Sequence, residues 1–264
     1  MIRIGDAVTY PTHQLAKLLA SKRRADMRQL PEVAPLCEAA RSLNYSAIAG
    51  LVADSLKRRS PAEFSDHVVR PCVIELFSNT CSMEIRVRER LFMAVLQQEL
   101  SSRIAQPKPP MVELRVFVAT LAPERHSIGA LLAHFISCAC GANSLGLGVE
   151  LSIEDIAQLS QRSRPRVLAL SFASEISSHQ LSAATHALAK QLPSATRIVV
   201  GGRGLSHLGP VSLPPQCARV DSFAAYADHL LQLFEAQTCE PGRTDQCDRG
   251  IQSEDVAPAR RLQL

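Results

Sequence analysis

The stretch that decides the fold is VFVATLAPERHSIGALLAHF, residues 116–135. It opens with the apolar run 116–119, which is typical of a buried strand, and a helix is predicted from residue 129 to 140. The loop between them, 123–129, exposes the imidazole of His126 two residues after the carboxylate of Glu124. A carboxylate placed this way can fix the tautomer of an imidazole and raise its basicity, as in sites where histidine ligates a cofactor.

The chain that follows this stretch alternates short apolar runs with helical patterns. We predict strands at 114–119, 143–148, 167–171, 197–200 and 217–220, and helices at 129–140, 152–162, 178–192 and 222–236. Such alternation indicates an α/β fold with a parallel sheet covered on both faces by helices. Five short strands fit a flavodoxin-like (Rossmann-like) domain over residues 112–236, and the polar segment 237–264 is predicted to be a disordered tail.

The chain that precedes it is helical in pattern from 31 to 105, and four or five helices would form a small bundle. Pro31 suits a helix start, and the sequence Ser60-Pro61-Ala62-Glu63 has the residues of a capping box. A stiff, proline-rich linker at 106–110 separates the bundle from the α/β domain. Residues 1–30 form an N-terminal extension whose basic triplet 22–24 suits either a solvated helix face or an acidic partner.

Composition narrows the classes of function. A net charge of +4 is too small to argue for nucleic-acid binding by itself, and no apolar run is long enough to span a membrane. Eight cysteines without regular spacing are typical of free thiols in a reducing cytoplasm, where we expect the protein to act. We expect no enzymatic activity, because neither acid/base groups for substrate chemistry nor a second catalytic domain is evident.

Three loops at the carboxyl ends of strands carry the candidate site residues. The first holds Glu124, His126 and Gly129, the second begins at Ser171, and the third begins at the pair Gly201-Gly202. In a parallel sheet these loops share one rim, where ligands bind near the point at which strand order reverses. A hydroxyl can hydrogen-bond a buried ligand, and glycines let the backbone approach a flat group closely. The rim is therefore a predicted cofactor site.

This arrangement resembles the cobalamin-binding domain over residues 112–236. The resemblance implies that His126 is the lower axial ligand to cobalt, the metal site of the chain, with Glu124 orienting its imidazole. It also implies that the corrin edge approaches Gly129. The displaced dimethylbenzimidazole tail would enter the sheet past a serine after the third strand and a glycine pair after the fourth, here Ser171, Gly201 and Gly202.

The helical segment extends the resemblance to light-sensing cobalamin regulators of the CarH type, whose helical cap covers the upper cobalt face with a tryptophan and a Glu-His pair. Phe77 stands where the tryptophan is expected, the segment 88–90 has no histidine, and the chain has no tryptophan. The resemblance therefore implies hydroxocobalamin or aquocobalamin rather than adenosylcobalamin, with Phe77 facing the cofactor.

With too few residues before the bundle for a winged-helix DNA reader, the chain most resembles the AerR/PpaA antirepressors of purple photosynthetic bacteria. Members of that family bind cobalamin, respond to light or oxygen, and contact a photosystem-gene repressor of the CrtJ/PpsR type. Sequence-specific DNA binding by the chain itself is not expected.

Three alternatives remain open at the level of sequence. A histidine beside a flat pocket also suits heme, so a heme-binding sensor of the same fold is one alternative. A corrinoid carrier subunit of a methyltransferase or mutase is the second. The third is an interaction module that has lost its cofactor.

Overall fold

The computed structural model describes residues 31–77, 83–105 and 114–238 of the 264-residue chain. The predicted extension 1–30 and the predicted tail lie outside these residues, apart from the last turn of the final helix. Among the described residues, no helix combines the length and the apolar character needed to cross a membrane. None of the five described cysteines forms a disulfide.

The first part is helical, as predicted. Its helices are α1 (Val33–Arg41), α2 (Tyr45–Arg58), α3 (Pro61–Phe64), α4 (Arg70–Phe77) and α5 (Met83–Ile104). A π-helical turn, Ser65–Val69, joins α3 to α4 without a break. Ser60 caps α3 and Glu63 returns a carboxylate to the Ser60 amide, so the predicted capping box is confirmed. The predicted start at Pro31 is wrong by two residues, because α1 begins at Val33 after Glu32.

The second part is a five-stranded parallel sheet in the order β2-β1-β3-β4-β5, which confirms the predicted fold class. The strands are β1 (Arg115–Leu121), β2 (Asn143–Leu151), β3 (Val167–Ser171), β4 (Arg197–Gly201) and β5 (Cys217–Val220). Helices α6 (Ile128–Ala139) and α9 (Phe223–Thr238) cover one face, and α7 (Ile153–Ser163) and α8 (Ser178–Gln191) cover the other. Alternate residues of β1 enter opposite cores, as Phe117 and Val118 do.

Strand β2 is longer than predicted, because it continues past the expected end at Gly148. Two irregularities in its pairing with β1 carry it to Leu151, and both Gly148 and Glu150 have positive φ. The strand lies at the edge of the sheet and is only partly buried, so its apolar pattern is weak. A bulged edge strand of this kind gives no clear periodic signal in the sequence.

The helical bundle and the sheet pack through α6. Leu132 and Phe135 of α6 belong to the same buried cluster as Phe64, Phe92 and the other core residues of the bundle. A single apolar core thus joins the two parts, and burial of this apolar surface is the main force that holds the bundle against the sheet.

Hydrogen bonds also join the bundle to the sheet domain next to β5. Both carboxylate oxygens of Asp66, in the π-helical turn, accept hydrogen bonds from α9, one from the Phe223 amide at 3.1 Å and one from the Ala224 amide at 2.9 Å. Arg70 donates to the carbonyl oxygen of Asp221 at 3.1 Å. A bundle residue therefore caps a helix of the sheet domain.

Replacing Phe92 with alanine should lower the free energy of unfolding by about 3–5 kcal/mol, because the ring is fully buried in the core shared by bundle and sheet. Urea denaturation followed by circular dichroism measures the change. Val87→Ala is the matched control, since Val87 lies on the same helix and is 47% exposed. Equal losses in the two variants would contradict the shared core.

Candidate functional site

A cavity of about 230 Å³ lies at the carboxyl edge of the sheet, between the sheet and the helical bundle. His126 lies in its wall, and so do parts of the loops that follow β3 and β4. Helices α6 and α9 also line it, and the bundle contributes Val69, Arg70, Val73 and Glu89. The three loops that the sequence singles out therefore meet at one cavity, which the bundle covers.

The carboxylate of Glu124 is the hydrogen-bonding centre of this edge. Its Oε1 atom accepts from the backbone amide of His126 at 2.9 Å and lies 2.6 Å from the imidazole Nδ1. Its Oε2 atom accepts from the amides of Ala173 and Ser174, at 2.9 and 2.6 Å. One side chain thus orients the histidine of the first loop and holds the second loop against it.

Burial alone would raise the pKa of Glu124, whose side chain is only 6% exposed. The hydrogen bonds from Ser174 and His126 outweigh burial and lower the pKa of Glu124 to about 2. Glu124 is therefore ionised at neutral pH and accepts a hydrogen bond, so the imidazole proton resides on Nδ1. In neutral His126, Nε2 then carries the lone pair that binds a metal.

The backbone around Glu124 is held by β2. The Thr120 hydroxyl donates to the carbonyl oxygen of Glu124 at 2.7 Å and accepts from the Glu150 amide at 3.1 Å. The Glu150 carboxylate also pairs with Arg125 at 2.8 Å. The histidine loop is therefore held by β2 on one side and by the loop after β3 on the other.

Gly129 lies directly against Ser171. A Cβ atom added at residue 129 would stand 2.1 Å from the Ser171 hydroxyl oxygen and 3.3 Å from its Cβ. Both residues line the cavity, and Ser171 is buried. The missing side chain at 129 therefore makes room for Ser171, a role the sequence interpretation did not assign. The predicted contact of Gly129 with a corrin edge stays a prediction.

The glycine loop after β4 is shaped by contact with the loop after β3. Gly202 has φ of +121°, and a Cβ there would lie 2.2 Å from the carbonyl oxygen of Phe172. The Gly204 amide donates to that same carbonyl at 2.8 Å. Gly201, which also lines the cavity, pairs with Val220 of β5. The glycines are thus needed for loop packing, and their predicted approach to a cofactor stays a prediction.

Two further features of the wall were not assigned from the sequence. Glu89, in the segment 88–90 that lacks a histidine, lies on the cavity. Tyr226 of α9 is buried at the cavity, where its hydroxyl lies 2.7 Å from that of Ser137 and burial raises its pKa. Phe77 ends α4, and its side chain lies outside the described part of the structure, so its predicted contact stays a prediction.

Comparison with known proteins identifies the fold. No family model and no curated protein sequence matches the chain. Among solved structures, the Methanosarcina barkeri monomethylamine corrinoid protein is 14% identical, with a TM-score of 0.57, over 75% of this chain and 96% of that one. This likeness shows a shared fold.

Two more distant structural matches have lower TM-scores. A cobalamin-binding protein from Desulfitobacterium hafniense is 17% identical over 75% of this chain and 96% of that one, with a TM-score of 0.38. The M. barkeri methanol:cobalamin methyltransferase complex is 13% identical over 89% of this chain and 94% of that one, with a TM-score of 0.40.

The low pKa of Glu124 predicts a defined acid response. Its folded-state pKa of about 2 lies below the ordinary value of 4.5, so its ionised form stabilises the fold above pH 4.5. That stability is lost as the pH falls from 4.5 towards 2. Glu124→Gln removes the titration, so its free energy of unfolding should fall less than that of the wild type over this range.

Urea denaturation at a series of pH values measures this response. Glu154→Gln is the control, because Glu154 is exposed in the first turn of α7 and takes no part in the hydrogen bonds of the Glu124 carboxylate. An acid response in Glu124→Gln as steep as in the wild type would contradict the assignment.

Gly129→Ala should cost about 1–3 kcal/mol, because its methyl group overlaps the Ser171 hydroxyl. The same change made in a Ser171→Ala background should cost clearly less, since the closest atom is then absent. Denaturant unfolding of the four proteins of this double-mutant cycle gives the coupling energy. Strict additivity would show that the two residues do not interact.

Proposed function

We propose that the chain binds cobalamin at this cavity, with His126 as the lower axial ligand to cobalt. The observation that carries the proposal is the Glu124–His126 pair, which directs Nδ1 to a buried carboxylate and keeps Nε2 for a metal. Among the described residues, the hydrogen bonds of the His126 imidazole are made through Nδ1, to Glu124 and Ser174. The fold shared with a corrinoid protein supports the same cofactor class.

The types of residue that line the cavity suit this cofactor. Cobalt favours an imidazole nitrogen ligand, and His126 stands half-exposed at the rim. Below the rim, Ser171 offers a hydroxyl group and the glycine loop offers exposed backbone. Leu132, Phe223 and Tyr226 supply apolar surface on which a flat aromatic tail could lie. When bound, cobalamin supplies a cobalt centre whose axial ligation changes with light or redox state.

We further propose that the chain is a light- or redox-responsive regulator of transcription. The cavity wall comes from both the bundle and the sheet, so a change inside it alters how the two parts pack. The responding surface would bind or release a DNA-binding repressor of the CrtJ/PpsR type, which makes the chain an antirepressor acting in the cytoplasm. The cofactor form we propose is hydroxocobalamin or aquocobalamin.

Reconstitution tests the cofactor directly. The purified chain is mixed with hydroxocobalamin, adenosylcobalamin or hemin, desalted, and measured by absorption spectroscopy in darkness and after illumination. We expect hydroxocobalamin to be retained at close to one equivalent. Retention of hemin alone would replace this proposal with a heme sensor, and retention of neither would leave an interaction module.

His126→Ala should weaken hydroxocobalamin binding at least about tenfold and change its absorption spectrum, because the cobalt loses its protein ligand. Glu124→Gln should weaken binding by about 10–100-fold through loss of imidazole orientation. Isothermal titration measures both. His186→Ala is the control, since His186 is exposed on α8 and its imidazole hydrogen-bonds Ser182 of the same helix. Unchanged binding by His126→Ala would contradict the ligand assignment.

The regulatory step is tested with a purified repressor of the CrtJ/PpsR type. Its affinity for the cobalamin-loaded chain should differ at least about fivefold between darkness and light, or between oxidising and reducing conditions. The His126→Ala chain should show no such difference. Methyl transfer from the loaded chain to a partner enzyme, without repressor binding, would instead identify a corrinoid carrier.

A further inference from the structure

The edge of the sheet opposite the cavity carries a row of arginines. Arg115 begins β1, Arg166 precedes β3 and Arg197 begins β4, and these strands are neighbours. The Arg166 amide donates to the Arg115 carbonyl at 2.9 Å, and the Arg197 amide donates to the Arg166 carbonyl at 2.7 Å. The three residues therefore lie at the starts of neighbouring strands, and all three are exposed. Arg115 is level with Arg166, whereas Arg197 pairs with Val167, so its side chain points to the opposite face of the sheet from the other two.

The end of α7 brings two more arginines to this edge. Arg162 lies in the last turn of α7, and Arg164 terminates it in a left-handed conformation with φ of +47°. Both are exposed, and both are within four residues of Arg166. We call the five residues the basic edge: Arg115, Arg162, Arg164, Arg166 and Arg197.

The charges of the basic edge are not neutralised by neighbours. In the described part of the chain, no carboxylate forms an ion pair with any of the five. Elsewhere, arginines such as Arg59, Arg103 and Arg125 do pair with carboxylates. Arg115 donates to the Ser163 carbonyl at the end of α7, so its guanidinium group caps the carboxyl end of that helix. A structural role within the fold is therefore evident for Arg115 among these five arginines.

We propose that the basic edge binds the phosphate backbone of a nucleic-acid duplex. Five guanidinium groups along one edge provide the charge and the paired N–H donors that phosphates require. An acidic protein surface is a poorer match, because protein interfaces are centred on apolar or aromatic side chains. None of the exposed large apolar residues of the described part lies in the segments 162–166 or 194–197, or at residue 115.

This inference goes beyond the proposed function and does not depend on a cofactor. The contact is with phosphates, so it is independent of base sequence and needs no reading helix in a groove. Because the basic edge and the cavity lie at opposite ends of the same strands, a duplex and a cavity ligand can bind at the same time. A protein that acts on a DNA-bound repressor would gain local concentration from such a contact.

The test uses the full chain and a fluorescein-labelled 20-base-pair DNA duplex of arbitrary sequence, followed by fluorescence anisotropy from about 50 to 200 mM salt. The triple variant Arg162→Gln/Arg164→Asn/Arg166→Gln removes three charges, and asparagine tolerates the left-handed backbone at 164. We expect about tenfold weaker binding or more, and a salt slope smaller by about 2–3 for the loss of three phosphate contacts.

The control variant Arg41→Gln/Lys57→Gln/Arg58→Gln removes the same number of charges from the bundle surface, where each is ion-paired. It should bind the duplex like the wild type. Equal binding by the triple variant and the wild type, or no duplex binding by either, would overturn the proposal. So would equally tight binding of polyglutamate, which would indicate an acidic protein partner.

Circular dichroism checks that each variant is folded. Hydroxocobalamin titration of the same variants separates the two proposals, because the triple variant leaves the cavity intact. If the triple variant binds cobalamin like the wild type but does not bind the duplex, the result supports duplex binding by the basic edge independently of the cofactor proposal.

Discussion

The carboxylate of Glu124 is the contact on which the candidate site depends. It accepts four hydrogen bonds from two loops that are about 50 residues apart, and it remains ionised because those donors offset the cost of its burial. Through it, the position of His126 is tied to the loop after β3. An imidazole at the end of a free loop would lose much of its orientation to rotamer entropy, whereas this one is held before any ligand arrives.

The neighbouring loops show a second constraint, which is steric. Gly129 leaves room for Ser171, and Gly202 and Gly204 leave room for the backbone at Phe172 and Ser174. The loops after β1, β3 and β4 therefore form one packed unit in which each depends on the next. Moving one of these loops therefore moves the others, because close-packed groups have few alternative positions.

Sequence patterns predicted the strands best where they are short and not interrupted by bulges. Strands β3 and β5 begin and end where predicted, and the capping box at Ser60 is present, because these signals are local. The edge strand β2 was predicted too short, since its bulges and partial burial obscure the alternation. The strand order followed from the general rule for five-stranded folds of this type.

The sequence points to residues that the fold brings to one edge of the sheet, but it does not show the contacts between them. The sequence identified His126, Glu124 and the glycine pair, because strand-end loops in a parallel sheet converge on one edge. The hydrogen bonds from Ala173 and Ser174 to Glu124, and the contact of Gly129 with Ser171, join residues 42 to 50 positions apart. No local pattern records such a pairing. Likewise, only the fold shows that Glu89 faces the cavity.

The Asp66 contact has a consequence for how the molecule assembles. Two of the first amides of α9 find their acceptor on a residue more than 150 positions earlier, while Ser222 accepts from the next two amides, those of Ala225 and Tyr226. A contact of such long range closes a long loop of chain, which costs conformational entropy that a local cap does not. The start of the last helix is therefore completed only when the bundle docks, and the exchange of those two amides with solvent reports whether the two halves of the protein are together or apart.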